Sequence, residues 1–473
     1  QLEAVACKDW LTNKVDRCVT GRVAKQQCSG PLQIPLNNVG VMAMDYRGEK
    51  GIATSVGHSP VSALIDPVAG SQASIAEALT NLIWAPIEQG IQGVSLSANW
   101  MWPAKQEGEN YRLYQAVEGI SDFACALGLN VPTGKDSLSM TQKYKDGVVY
   151  APGTVIISAV GEVSHLKKVV EPVLKPIEGS QLIYIDFSED DFKLGGSSFA
   201  QTLNQLGNEA PRIKDAKKFG LVFNAVQDLV IKDKVLAGHD ISAGGMVTTL
   251  LEMCFPETSV GLSVDLSQLN AKDDIQLLFS EKAGILIQVL DSNISAVSEA
   301  LNSASATYSI IGSVNSKNTV EIKTSSNSYV LDVPSLRKTW YKTSYLLDQK
   351  QSGKAHADSR FENHDKFPLN YKFPENFVGT YQALGSDPNR KTASGVKAAI
   401  IREKGVNGDR EMAYALFLAG FDVKDVHMTD LISGREDLSD VNMIAFVGGF
   451  SNSDVLGSAK GWAGAFRFNE KAK

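Results

Sequence analysis

Hydrophobic positions fall into differently patterned stretches along the chain. Between residues 36 and 67, the short apolar runs Val39 to Met44, Ile52 to Val56 and Val61 to Ile65 are separated by glycine breaks and predict strands. Ile75, Leu79, Leu82 and Ile83 follow at the i, i+4, i+7, i+8 spacing of one buried helical stripe. Tyr111 to Leu127 repeats the helical pattern and stops at Gly128, and β-branched residues crowd Val148 to Val163, which predicts strand. These elements predict a mixed α+β domain over residues 1–165.

A second domain is predicted over 175–325. Gln181 to Phe187 reads as strand, followed by a Gly-Gly-Ser-Ser loop and a helix from Phe199. Residues 220–234 and Met246 to Phe255 read as helices, and Ile285 to Leu290, Tyr308 to Val314 and Val320 to Ile322 as closing strands. Residues 330–394 lack a sustained period, and a linker is predicted over 326–395. Its polar part, Gln349 to Gly395, holds Pro368, Pro374 and Pro388, while Trp340, Tyr341, Tyr345, Phe367 and Tyr371 could anchor it on its neighbours. From Val396 the pattern changes again: strand to Ile401, helix Asp409 to Ala419, strands Val423 to His427 and Met443 to Val447, then Gly448-Gly449. This β-α-β-β order with glycine at strand ends predicts the opening of a doubly wound parallel sheet over 396–473. So few strands would be poorly covered, so the expectation is a domain that continues past Lys473. The first residue, Gln1 rather than Met, likewise suggests a chain excised from something longer.

Composition narrows the class. Hydrophobic residues make up 43% and charged residues 21%, as in soluble globular proteins. Forty-six basic against 53 acidic residues leave a net charge of −7, which argues against a nucleic-acid partner and says nothing against nucleotides. No apolar run is long enough to span a membrane, and the N-terminus lacks the pattern of a signal peptide. Five cysteines at no metal-like spacing read as reduced thiols of a cytoplasmic protein.

Several residue groups could carry chemistry. Glycine pairs 195–196, 244–245 and 448–449 each sit between a strand and a helix, where backbone amides can meet an anion or simply make a tight turn. None fits the nucleotide loop patterns G-x-x-x-x-G-K-[ST] or G-x-G-x-x-G. Glu77 and Asn81, four apart and opposite the apolar stripe, could offer oxygen ligands to Mg²⁺, or Ser74 and Glu77 could form a capping box. Pro132 to Met140 places Lys135, Asp136 and Ser137 after Gly134, as a phosphate contact or as a polar turn. His239-Asp240 could be an acid/base pair or a hydrogen-bonded loop histidine. Glutamine hydrolysis needs a Cys or Ser nucleophile with a His base, yet no Cys follows Cys254 and no His follows His427. Gly448 and Gly449 could still supply oxyanion-hole amides.

Taken in order, these strings resemble one family. Glu77-Ala-Leu-Thr-Asn81-Leu, Leu96-Ser-Ala-Asn99-Trp, Leu127 through Lys135-Asp136-Ser137 to Met140, and His239-Asp240-Ile-Ser-Ala-Gly-Gly245 resemble phosphoribosylformylglycinamidine synthases of the large, single-chain type. Arg402 to Asn407 and Val447 to Gly457 resemble the start of their glutamine amidotransferase domain. The resemblance implies aminoimidazole ribonucleotide synthetase-like N- and C-terminal domains, α+β and α/β, forming the second of two copies. A partial class I, flavodoxin-like glutamine amidotransferase domain would follow. It further implies a purine-biosynthetic ligase in which ATP activates a formylglycinamide ribonucleotide and ammonia from glutamine displaces the activated oxygen. The first synthetase copy and the remainder of the glutaminase would be partners in the same polypeptide, and this piece alone would be inactive.

In the bacterial large form the resemblance implies an auxiliary, structural ADP held by the second copy with Mg²⁺. By motif, Lys8, Asn37 and Gly245 would touch the nucleotide and Glu77, Asn81 and Asn38 would face the metal. Asn99, Lys135, Asp136, Ser137, His239 and Asp240 are candidate substrate or phosphate contacts. Two positions depart from the family pattern: Asn38 and Ala243 stand where Asp is usual. Sheets of this fold pair into a shared barrel, so self-association is a further expectation. The alternatives are a non-catalytic nucleotide-binding scaffold, or a relative of selenophosphate synthetase or thiamine-phosphate kinase. The latter carry no amidotransferase segment, which residues 396–473 resemble.

Overall fold

The computed structural model describes residues 2–12, 15–455 and 457–473. The chain forms two units: residues up to 17 with 24–44 and 48–370, and residues 18–23, 45–47 and 371–473.

Strand alternation builds the first layer of the larger unit. β1 (Val23–Lys25), β2 (Gly40–Ala43), β3 (Gly51–His58), β4 (Val94–Met101) and β5 (Asn130–Ser137) are followed by a separate hairpin, β6 (Thr141–Tyr144) with β7 (Gly147–Tyr150), and by β8 (Thr154–Val163). They form a six-stranded sheet of order β1-β2-β3-β8-β4-β5. β3 buries every second residue, so one face meets the core and the other does not. The buried face packs under helices Pro67–Leu82 and Glu109–Leu127, whose stripes include Ile75, Leu79, Leu82, Ile120 and Phe123.

The second layer is a seven-stranded sheet. β9 (Ser180–Asp186), β10 (Ala237–Asp240), β11 (Gly261–Asp265), β12 (Gly284–Leu290), β13 (Thr307–Asn315), β14 (Thr319–Lys323) and β15 (Ser328–Asp332) run in the order β10-β12-β9-β13-β11-β14-β15. β9 and β12 are buried almost throughout, because both faces are covered. One face shares a core with helix Ala216–Ile231 and the helices of the first layer. The other packs Leu182, Leu286 and Val264 against helices Gly245–Cys254 and Val333–Ser352. Gln227 stitches the layers together: its Oε1 accepts the Ile87 N–H at 2.7 Å, and its Nε2 donates to the carbonyls of Ile83 and Ala85.

In the smaller unit, β16 (Lys397–Arg402), β17 (Asp422–His427) and β18 (Met443–Phe446) form a parallel sheet of order β17-β16-β18. The sequence pattern missed one element here. Helix Met428–Ser433 lies between the second and third strands, so the order is β-α-β-α-β.

Other expectations need correction. Val61 to Ile65 is not a strand: Pro60 starts the helix Pro60–Ile65, and a five-residue apolar run has too few positions to reveal its period. Val148 to Val163 is two strands, β7 and β8, interrupted at Ala151-Pro152-Gly153. The helix from Phe199 is one short turn, Ser198–Thr202. The polar turn considered for 132–140 is largely strand β5. Residues 333–363, without a visible period in sequence, form helices Val333–Ser352 and Lys354–Asn363. The buried stripe of the first helix is Val333, Arg337, Trp340, Tyr341, Ser344 and Asp348, a helical spacing in which half the positions are polar. Half-buried partners meet them, as when Ser344 Oγ accepts the Trp10 N–H and Arg337 donates to the Glu257 carbonyl.

Candidate functional site

Two cavities lie side by side in the larger unit and share the walls Ala4, Ser242 and Ala243. The first, of about 410 Å³, is bounded by Lys8, His58, Glu77, Ser198, Arg212 and Glu281. The second, of about 430 Å³, is bounded by Asn37, Asn38, Thr54, Asn81, His239 and Asp240. Glu77 faces the first cavity and Asn81 the second, although both ride on helix Pro67–Leu82.

Glu77 is not half of a capping box. Asp66 caps the helix by accepting the N–H groups of Val68 and Ala69, and Ser74, in mid-helix, donates to the Gly70 carbonyl. Glu77 instead accepts the His58 N–H at 2.7 Å and the Ser242 hydroxyl at 3.0 Å. Burial pushes its carboxyl up to about 7, against the opposing pull of His58. These bonds tie the end of β3 to the loop after β10.

His239 and Asp240 lie on β10 and are buried, so the loop histidine of the sequence reading is corrected to a strand histidine. His239 Nδ1 is 3.1 Å from Asp240 Oδ1, and its Nε2 is 3.2 Å from Glu252 Oε2. Burial opposes its charged form, but bonds to two carboxylates outweigh this and raise it to about 9. An imidazole held this firmly protonated is poorly matched to general-base work near neutral pH. Glu252 also accepts the indole N–H of Trp340 at 3.1 Å, a link that no short-range sequence signal announces.

The glycine loops meet at Glu281, which the sequence reading missed. Its Oε1 accepts the backbone N–H of Ser198, beside Gly195-Gly196, and of Gly244, both at 2.7 Å. Gly244 has φ +92°, and a Cβ on Gly245 would come within 2.8 Å of the Leu278 carbonyl and the Phe279 backbone. Gly245 lines neither cavity; close packing against 278–279 accounts for it. Lys8 borders the first cavity, but its ammonium donates to the carbonyls of Glu3, Ala4 and Ala6. Arg212 pairs with Asp66.

The oxygen donors expected for Mg²⁺ do not assemble. Glu77 and Asn81 face different cavities, Asn38 and Ala243 bring no charge, and Asp240 is paired with His239. Among the described residues no group of three His, Cys, Asp or Glu side chains is placed to hold a metal ion.

Asn99, Lys135, Asp136 and Ser137 sit elsewhere, on β4 and β5, with Asn99 opposite Lys135 in register. Lys135 donates to Ser137, and none of the four borders either cavity. In the smaller unit Gly449 has φ +135° and bridges to Val406, and the Gly448 carbonyl accepts the Asn407 N–H. Among the described residues no helix is long and apolar enough to cross a membrane.

Residues 7–162 match the FGAR-AT PurM_N-like domain, 179–325 the AIR synthase related protein C-terminal domain, and 395–473 the CobB/CobQ-like glutamine amidotransferase domain. Among curated proteins, the chain is 39% identical over 478 residues to a probable phosphoribosylformylglycinamidine synthase, chloroplastic/mitochondrial, of Arabidopsis thaliana, covering 99% of this chain and 33% of that protein. It is 40% identical over 479 residues to the phosphoribosylformylglycinamidine synthase of Homo sapiens, covering 100% and 35%. Among solved structures, T. maritima PurL complexed with ADP aligns with a TM-score of 0.51 at 13% identity, covering 70% of this chain and 48% of that one. The same protein complexed with FGAR gives 0.50 at 16% identity, covering 64% and 48%. These structural likenesses speak for the fold. The chain spans about a third of the length of the curated relatives it matches. Synthetase-like halves followed by the beginning of an amidotransferase domain, in that order and at that identity, place the chain in the phosphoribosylformylglycinamidine synthase family.

Proposed function

We propose that this chain is a portion of a synthase that converts formylglycinamide ribonucleotide to formylglycinamidine ribonucleotide with ATP and glutamine. In this reading, residues 1–165 and 175–325 are the halves of one synthetase-like copy, 326–395 connect onward, and 396–473 begin the glutaminase. Gly448 and Gly449 would contribute oxyanion-hole amides there. The compartment in this reading is the cytosol.

Within that enzyme we assign the present copy to holding an adenine nucleotide without turning it over, with Asn37 as a candidate contact; of the other two that the resemblance implies, Lys8 is taken up by three carbonyls and Gly245 by packing against 278–279. The observation that carries this is the mutual pairing of the polar groups around both cavities: Glu77 with His58 and Ser242, His239 with Asp240 and Glu252, and Glu281 with two amides. A site whose acids and bases are bonded to one another can bind; Glu77, the acid held near neutrality, already accepts the His58 N–H and the Ser242 hydroxyl. Magnesium is the part of the expectation that the donor set does not support. Asn99, Lys135, Asp136 and Ser137 remain substrate candidates only through the resemblance.

The unburied face of the six-stranded sheet carries Met42, Ile52, Val56 and Val160. An apolar face of this kind suits pairing with a second sheet, and we assign that role to the rest of the polypeptide, whose relatives are far longer. The chain by itself would then self-associate, which sedimentation reads directly. Calorimetry with ADP tests the nucleotide assignment: saturable one-to-one binding without phosphate release is expected. Absence of binding at millimolar ADP, or hydrolysis of the bound nucleotide, would overturn it.

A further inference from the structure

We propose that this copy recognises the nucleoside part of its ligand through uncharged amides, with neither a protein-held divalent ion nor a phosphate-binding loop. The inference rests on the nucleotide reading above and specifies it.

The glycine-loop amides, Lys8, Arg212 and His239, which could grip a phosphate at these cavities, are engaged within the chain. The amides of Ser198 and Gly244, where both glycine loops converge, bond the Glu281 carboxylate. That carboxylate occupies the place an anion would take at a helix N-terminus, and it repels a second negative charge. The Lys8 ammonium, with three donors, serves three carbonyls. Arg212 is held by Asp66, and His239 lies between Asp240 and Glu252. A divalent ion could bridge phosphates to carboxylates, but Glu77, Glu281 and Asp240 are already bonded within the chain as described.

What remains unengaged is neutral. Asn38 Nδ2 is buried and has no hydrogen-bond partner. It belongs to the second cavity, whose wall also holds Thr54 and the side chains of Asn37 and Asn81, whose own Nδ2 atoms donate to the carbonyls of Gln26 and Val56. A buried donor without an acceptor is costly, and a ligand that brings one relieves that cost. Ribose oxygens and purine ring nitrogens are such acceptors, and they add no charge beside Asp240. The cavity of about 430 Å³ lies within the range of small-ligand pockets. Phosphates of a bound nucleotide would then project away from the walls.

The test compares adenosine and ADP by calorimetry on the intact chain, each with Mg²⁺ and with excess EDTA. The expected result is affinities within about fivefold of each other and unchanged by EDTA. ADP preferred more than about tenfold, or ADP binding lost in EDTA, overturns this inference and leaves the nucleotide assignment standing. Binding of neither ligand overturns both. Asn38→Ala is expected to weaken adenosine and ADP alike, by about fivefold for one hydrogen bond; unchanged affinity for both ligands counts against the proposal. Glu281→Ala is expected to raise the ADP-to-adenosine preference as the Ser198 and Gly244 amides become free, a gain that misfolding cannot mimic. A folded Glu281→Ala chain with the original preference contradicts the proposal. Should that variant not fold, the ligand comparison on the unsubstituted chain still decides.

Discussion

His239 Nε2 lies 3.2 Å from Glu252 Oε2, joining β10 to the helix Gly245–Cys254 by a buried charged contact. With Asp240 on its other nitrogen, the imidazole is raised to about 9, above its ordinary 6.5. The folded state therefore keeps a proton that the unfolded chain releases. The stabilisation is fully present below pH 6.5 and is lost as pH rises through about 9. Glu252→Gln should lower the His239 titration midpoint in an NMR titration and cost about 2 kcal/mol in urea unfolding at pH 7. An unmoved midpoint would remove Glu252 as the cause.

Gln227 bonds three backbone groups of residues 83–87 across the layers of the larger unit. Gln227→Ala leaves these groups buried without partners. Destabilisation of about 3 kcal/mol is expected from urea denaturation. Hydrogen exchange at the Ile87 amide should quicken in the same variant.

A Cβ on Gly57 would fall 2.2 Å from the Ser74 carbonyl and 2.3 Å from the Ala78 nitrogen. Both are backbone atoms of a buried helix and cannot rotate aside. Gly57→Ala should therefore cost about 3 kcal/mol by forcing β3 and the helix Pro67–Leu82 apart. A thermal midpoint equal to that of the unsubstituted chain would mean that the layers yield.

Lys282 is buried, donates to Asp186 at 2.8 Å and lies over the Phe192 ring. Lys282→Met keeps most of the volume and removes the charge. Leaving Asp186 buried without its cation should destabilise by about 3 kcal/mol in urea unfolding at pH 7. A urea midpoint equal to that of the unsubstituted chain would mean that the pair contributes nothing net.

Much of the architecture was readable along the chain because burial leaves a period. Ile75, Leu79 and Leu82 marked a helix, β9 and β12 showed as continuous apolar runs, and the parallel sheet was visible in strands 397–402, 422–427 and 443–446. The pattern failed where polar residues occupy buried positions. Arg337, Ser344 and Asp348 belong to the same stripe as Trp340, but their burial depends on partners elsewhere in the chain. The site was legible only as a parts list. Glu77, Asn81, His239 and the glycine pairs could be named, whereas Glu281, 37 residues beyond Gly244, carries no local mark.

By itself the sequence determined which segments bury a face, where helices and strands alternate, and which family the ordered strings resemble, since these depend on neighbours a few residues apart. Tertiary structure alone decided which charges meet. It put Glu77 and Asn81 on different cavities, closed the glycine loops over Glu281, and left Asn38 with an unanswered donor. Pairing between side chains falls off over a few ångströms, and no spacing along the chain records which distant segments are brought that close.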